Sequence, residues 1–279
     1  MAELPEVETI RRDMDKEVSG KRIKSVEFPG RKDVAPHTPN RKHFGAQLEG
    51  VKLGSVSRKG MLLVTKLDSD EILVIDLSKG GQIRKTAAKD DVVKGTQVIL
   101  TFTQGGQLRF IDATGGLTLE VMAPGELAER HPELATGGAD PLDEPISWTK
   151  FGEQLLRRQL KLKALLMEPT VLAGIGPVYS DEILFAAGLR HDRHSEQLST
   201  QEMRRLYRSV VEVVHTAAKR RGTTLADGLF TDLHGKPGDY TAELRVYERD
   251  GEACLRCRKI ITKGKAGGKV TYFCPDCQV

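Results

Sequence analysis

Apolar residues Val7, Ile10, Met14 and Val18 recur at three- and four-residue intervals and predict an opening helix with one inward face. Pro5 suits the first helical position, where its missing N–H would be unpaired anyway. Glu6 and Glu8 fall in the first turn, which the helix dipole makes favourable for negative charge. Ser19-Gly20 closes the helix. Burying that face pins the chain's beginning against the protein, which is uncommon for a terminus. The pattern then shortens to strand length over residues 22–28, 51–57, 61–67, 72–77, 96–103, 108–112 and 117–121, with Gly-containing turns between them. Strands at this density predict a β-sandwich or barrel. Residues 29–41, with Pro29, Pro36 and Pro39, read as loop.

Residues 122–147 hold four of the twelve prolines and read as a linker with little regular structure. Helical spacing returns from Trp148, with Phe151, Leu155, Leu156 and Leu160 on one face. A short helix is expected over 180–187, closed by Gly188. A longer one opens at Ser199, which can form a capping box with Glu202, and carries Met203, Leu206, Val210, Val214 and Ala217 inward. Gly222 ends it. From about residue 231 the chain reads as loop and hairpin. The expected architecture is α+β and multidomain. A helix plus β-sandwich covers 1–121, a linker 122–147, a helical domain 148–230 and a small C-terminal module 231–279.

Composition narrows the function. The 279 residues suffice for two or three domains with a real core. Charged residues are 29% of the chain, and no apolar run approaches the roughly 18 residues of a membrane helix. No secretory signal is visible in the acidic start, so a cytoplasmic protein without a membrane partner is expected. The net charge of +4 says little, but its distribution says more: 22 Lys and Arg stand against 16 Asp and Glu from Lys150 onward. That surplus fits a phosphate-binding surface in the C-terminal half.

Two features carry chemistry. All four cysteines lie in the last 26 residues, as Cys254-x₂-Cys257 and Cys274-x₂-Cys277 separated by sixteen residues. Two such knuckles form a tetrahedral thiolate set for one structural Zn²⁺, with no open position for water activation. Two disulfides are the competing reading, which the missing signal peptide disfavours. The finger also carries Arg256, Arg258, Lys259, Lys263, Lys265 and Lys269 against Asp276 alone, a phosphate grip or else a solubilising surface. The second feature is the terminus. Removal of Met1 leaves an α-amine on Ala2, beside Glu3, whose reference pKa of about 7.7–8.0 keeps it partly nucleophilic near neutrality. Such an amine can form a Schiff base with a sugar aldehyde. An acid-rich helix start with no chemistry is the plainer alternative.

The run Glu3-Leu4-Pro5-Glu6-Val7-Glu8-Thr9 resembles the opening of the formamidopyrimidine-DNA glycosylase/endonuclease VIII family, whose members start Met-Pro-Glu-Leu-Pro-Glu-Val-Glu-Thr. The resemblance continues through Gly174-Ile175-Gly176-Pro177-Val178-Tyr179, Gly222-Thr223-Thr224-Leu225, Gly235-Lys236-Pro237-Gly238 and the cysteines. It implies a helix–two-turn–helix domain and a zinc-finger hairpin. It also implies damaged or abasic DNA as partner, and glycosylase and abasic-lyase activity in base excision repair; nothing in the sequence demands more than a monomer. Carried over position by position, Ala2 is the nucleophile, with Glu3 and Glu6 beside it. Lys163, Gly174, Gly176, Lys236 and Lys269 contact DNA.

The departures are informative. The family's nucleophilic Pro is Ala2, and its phosphate-binding Asn is Pro177, which has neither side-chain amide nor N–H. Its backbone-holding Lys is Met61, with Lys59 nearby. Its Met wedge is Lys79, and its Asp-Pro-Arg-Arg-Phe-Gly plug is Asp112-Ala113-Thr114-Gly115-Gly116-Leu117. Lys269 replaces the arginine of the hairpin tip and loses its bidentate fork. Without plugs, extruding a base from intact duplex loses its compensation, so open or distorted DNA is the expected substrate. Three functions stay in view: an active glycosylase and lyase, a catalytically silent lesion binder, and an RNA- or ribosome-associated zinc protein.

Overall fold

The computed structural model describes residues 2–31, 33–35, 38, 40–112, 115–143 and 147–279. Contacts divide the chain into two compact units. One joins the residues up to Ala135 with Arg221–Asp239, and the other joins Thr136–Arg220 with Tyr240–Val279. The chain thus leaves the first unit, returns to it for the nineteen residues 221–239 and leaves again.

The first unit opens with α1 (Leu4–Val18) and contains β1 (Ile23–Glu27), α2 (Arg41–Leu48), β2 (Leu53–Lys59), β3 (Leu62–Leu67), β4 (Ile72–Asp76), β5 (Gln82–Thr86), β6 (Thr96–Phe102), β7 (Gln107–Ile111) and β8 (Thr118–Met122). The strands form two antiparallel four-stranded sheets, β1-β6-β7-β5 and β2-β3-β4-β8. Val7, Ile10, Met14 and Val18 of α1 join inward residues of both sheets, such as Leu63, Ile75, Leu100 and Phe110, in one core. The sandwich and its opening helix are thus as the periodicity predicts.

Three details differ. Helix α2 lies where the sequence shows little periodicity; it is short, capped by Asn40 accepting the His43 N–H at 2.9 Å, and buries Phe44 and Leu48. Strand β5 has one buried residue, Ile83, so alternation could not reveal it. Its outer edge is covered by the returning segment, with Lys85 N donating to Leu233 O at 2.8 Å and Gln82 Nε2 to the carbonyls of Gly228 and Leu229. Third, the residues after β8 are not structureless. Short helices α3 (Leu127–Arg130) and α4 (Glu133–Thr136) follow. Leu127 and Leu134 pack on Leu62, Val64, Ile72 and Val74, the outer face of the second sheet. Burial on both faces explains the continuous apolar runs of β3 and β4.

The second unit contains α5 (Trp148–Arg158), α6 (Leu162–Leu166), α7 (Pro177–Ala187), α8 (Thr200–Lys219) and the hairpin β9 (Thr262–Ala266) and β10 (Lys269–Phe273). Ser199 and Glu202 form the expected capping box on α8. Helix α7 is buried from Val178 to Phe185, including Asp181 and Glu182. Among the described residues no helix is long and apolar enough to cross a membrane.

Candidate active site and metal centre

In the first unit the start of α1 is fixed by hydrogen bonds that reach far along the chain. Glu6 is 2% exposed; its Oε2 accepts the N–H of Glu3 at 2.9 Å and its Oε1 the N–H of Thr223 at 2.7 Å. Glu3 is 5% exposed, and Ala2 packs against the sandwich core. Glycine is required at position 222 twice over: φ is +77°, and a Cβ there would lie 2.6 Å from Glu6 Oε1. The neighbouring Arg221 also has positive φ, +63°, a costly conformation for a side chain-bearing residue. Its guanidinium donates to Asp13 at 2.6 Å and Asp232 at 2.7 Å, which holds it there. The sequence shows Gly222-Thr223-Thr224-Leu225 as a motif but not its task, which is to lock Glu6 beneath the chain's first residues.

Two residues on, Glu8 receives Arg11, Arg12 and Arg58, with Arg12 Nε at 2.8 Å and Arg58 Nε at 3.0 Å. Burial works to raise its pKa, but the Arg11 and Arg58 guanidinium groups outweigh it and hold the carboxyl below its ordinary range. Arg58 faces Leu63 across the β2–β3 ladder, toward the core, whereas Lys59 faces Leu62 and the outer layer. Cross-strand partners share a face, so Lys59 does not stand in for the side chain at Met61, which packs against the core. Lys79 is exposed, and its carbonyl lies 2.2 Å from where a Cβ on Gly116 would sit, so the Lys79 turn and the Gly115-Gly116 loop touch. Asp112 braces that loop by accepting the N–H groups of Gly115 and Leu117 at 2.7 and 2.9 Å. Ala113 and Thr114 lie outside the described residues. Lys236 is exposed, and it belongs to this unit rather than to the finger.

In the second unit the four Sγ atoms lie within 4.8 Å of one another, with Cys257–Cys274 at 3.4 Å and Cys254–Cys277 at 3.9 Å. A tetrahedral ZnS₄ site with Zn–S of about 2.3 Å has sulfurs about 3.8 Å apart, so the donors fit one structural Zn²⁺ and fill its coordination. The hairpin turns at Gly267-Gly268, both at positive φ, and leaves Lys263, Lys265 and Lys269 exposed. Gly174 has φ +63°, and Gly176 caps α7 with Pro177 as its first residue.

Lys163, which the resemblance places at the DNA, has a side chain 2% exposed, and its Nζ donates to Asp181 at 2.7 Å and to the Val270 carbonyl at 2.9 Å. Asp181 also accepts the Thr271 hydroxyl at 2.7 Å and the Tyr272 N–H at 2.9 Å. The pair therefore clamps β10 onto α7, next to Lys269. Beside it Glu182 accepts the N–H groups of Arg245, Val246 and Tyr247, each at 2.9 Å. Burial raises both acids, against the pull of Lys163 on Asp181 and of the three N–H groups on Glu182. Neither acid stands out in a sequence reading, because both fall inside an apolar helix with no partner nearby in sequence.

A sandwich that anchors the chain terminus, a helical unit and a four-cysteine hairpin together define a two-unit protein with a structural zinc-finger hairpin. Family models agree along the chain: the formamidopyrimidine-DNA glycosylase N-terminal domain matches residues 1–116, its H2TH domain 138–227, and the zinc finger found in FPG and IleRS 251–279. The formamidopyrimidine-DNA glycosylases of Desulfitobacterium hafniense and Geobacillus kaustophilus are 33% and 35% identical over the whole of both chains. The Lactococcus lactis Fpg solved with abasic-site DNA superposes with a TM-score of 0.90 at 29% identity, covering 99% of each chain. The chain belongs to the formamidopyrimidine-DNA glycosylase family.

Proposed function

We propose that this protein is a DNA glycosylase and abasic-site lyase that works through the α-amine of Ala2, with preference for single-stranded or distorted DNA. The supporting observation is the held terminus: Ala2 rests on the core and Glu3 is buried, while Glu6 ties that turn to Thr223. The amine nitrogen bonds to the deoxyribose C1′ as the bond to the base breaks, and the proton that the nitrogen gives up leaves on the base. Glu3 passes a proton to the ring oxygen as the sugar opens, leaving an iminium. Loss of a C2′ proton then expels the 3′ phosphate and cuts the strand. Lys236 in the first unit, and Gly174, Gly176 and Lys269 in the second, supply phosphate contacts. The preference for open DNA follows from Lys79 and Gly115-Gly116, which put no aromatic or arginine plug into a vacated stack.

The test is borohydride trapping on abasic-site DNA, after intact-mass measurement shows Met1 removed. A covalent adduct mapped to Ala2 is expected, and its loss in an N-terminally acetylated sample. Binding without an adduct favours a second reading, a silent lesion binder, which Met61 supports because it places no ammonium where the family keeps one. Equal affinity for undamaged duplex and for single-stranded or abasic DNA would remove the substrate preference.

A further inference from the structure

The outward face of the β1-β6-β7-β5 sheet carries a cavity that the amine chemistry does not use. Strand alternation sends Ile83, Leu108 and Phe110 into the core and turns Gln82, Arg84 and Thr86 of β5, with Arg109 of β7, the other way. The register sets Arg84 directly opposite Arg109, a position that like charges make unfavourable.

Arg109 is fully provided for. It is 2% exposed; its Nε donates to Gln107 Oε1 at 2.9 Å, and Nη1 and Nη2 donate to the carbonyls of Asp91 and Asp90 at 2.6 and 2.7 Å. These bonds fold the loop after β5 back over the sheet. The result is a cavity of about 350 Å³, walled by that loop through Asp90, Asp91 and Val93.

Arg84 lines the same cavity and is not provided for. Its Nη2 donates to Gln82 at 3.0 Å, but among the described residues no carboxylate pairs with it. Burial lowers its pKa, and the counter-charge that reaches it, Asp232, is already engaged by Arg221. Its Nε is buried without an acceptor, and so is the Thr86 Oγ1, two residues along the same face. A buried guanidinium N–H without an acceptor, on a half-buried cation whose nearest counter-charge is shared, and a buried hydroxyl without a partner are each unfavourable. One oxyanion would satisfy both.

We propose that Arg84 and Thr86 form a phosphate-binding site, with Nε–H and Oγ1–H each donating to a phosphate oxygen. Asp90 and Asp91 on the far wall disfavour a doubly charged ligand, so the site suits the singly charged phosphodiester. Such a group can come from a nucleic-acid backbone or from a small diester in solution.

The test uses the full-length, zinc-loaded protein and the Arg84 Nε–H resonance, assigned by its absence in Arg84→Lys. Dimethyl phosphate is titrated at constant ionic strength, with sodium chloride as control. A saturable shift is expected, weakened at least threefold in Thr86→Val. No saturable shift, or one unchanged in Thr86→Val, overturns the proposal. The salt dependence of DNA binding then separates the two sources. A DNA backbone source lowers the slope of log K against log salt by about one in Arg84→Gln. An unchanged slope together with the saturable shift assigns the site to a small diester. If Arg84→Gln does not fold, the Thr86→Val titration still decides the proposal.

Discussion

The two units bury carboxylates beside their functional elements in opposite ways. In the first, Glu6 is bound to main-chain N–H groups of α1 and the returning segment, and Glu8 is surrounded by arginines that keep it ionised. In the second, Asp181 pairs with the single cation Lys163 and uses its remaining capacity on β10, and burial raises its pKa. The difference follows what each unit must hold. A chain terminus has a free end and few contacts, so it is located by main-chain bonds to a distant segment. A metal-closed hairpin is already rigid and needs only to be seated, which one buried ion pair does.

Metal removal should break this comparison most severely. Structural zinc contributes on the order of 10–16 kcal/mol of apparent binding free energy in small fingers, against which the finger's own apolar cluster of Phe185, Val246, Ile261 and Tyr272 is small. Stripping the ion with a chelator, or Cys257→Ser, should release one zinc per chain and abolish DNA binding. The first unit's amide exchange should stay native, because it contains none of the ligands. Loss of protection in both units would show that they are not independent in stability.

The next largest effect is expected from the buried pair. Lys163→Met leaves Asp181 buried without its cation, a change that costs about 3–5 kcal/mol in comparable pairs. A paired Lys163→Met/Asp181→Leu variant removes both charges and should recover part of that loss in a thermal melt. A double variant as unstable as the single one would show that the ion pair is not what seats β10.

These clamps mark the limit of what the sequence discloses. Helix α1, seven of the eight sandwich strands and the cysteine ligands each rest on local signals, namely period, turn residues and spacing, and are legible. Strand β5 and helix α2 are not, because one is an edge strand with a single buried residue and the other is a two-turn helix. Lys163 was legible as a lysine of interest but not as a buried one, since its partners lie 18 and 107 residues away. The return of residues 221–239 to the first unit was hidden for the same reason: Glu6 and Thr223 are 217 residues apart.

Gly222→Ala probes that long-range bond more gently. The added methyl meets Glu6 Oε1 at 2.6 Å in a backbone conformation that alanine rarely adopts, and such strain costs on the order of 1–3 kcal/mol. Trapping of abasic DNA should fall further than stability does, because the displaced carboxylate is the one that holds the Glu3 N–H. Equal proportional losses would mean that Glu6 serves folding alone.

The smallest effect belongs to an acid outside both arrangements. Glu202 caps α8 and is held by Arg193 Nη1 at 2.5 Å and by Ser199, which lower its pKa to about 2 from an ordinary 4.5. A carboxylate with a depressed folded pKa stabilises fully above its unfolded value and loses that contribution as pH falls through the folded one. The window is therefore about pH 4.5 down to 2. The pair is partly solvated, so its worth is roughly 1 kcal/mol or less. Glu202→Gln should be slightly less stable than wild type at pH 6 and indistinguishable from it at pH 2, as read by exchange of the first-turn amides of α8. Glu8 titrates in the same direction in the other unit, so acid should also loosen α1 in both proteins. A difference between the two proteins that persists at pH 2 would mean that the cap acts through its shape rather than its charge.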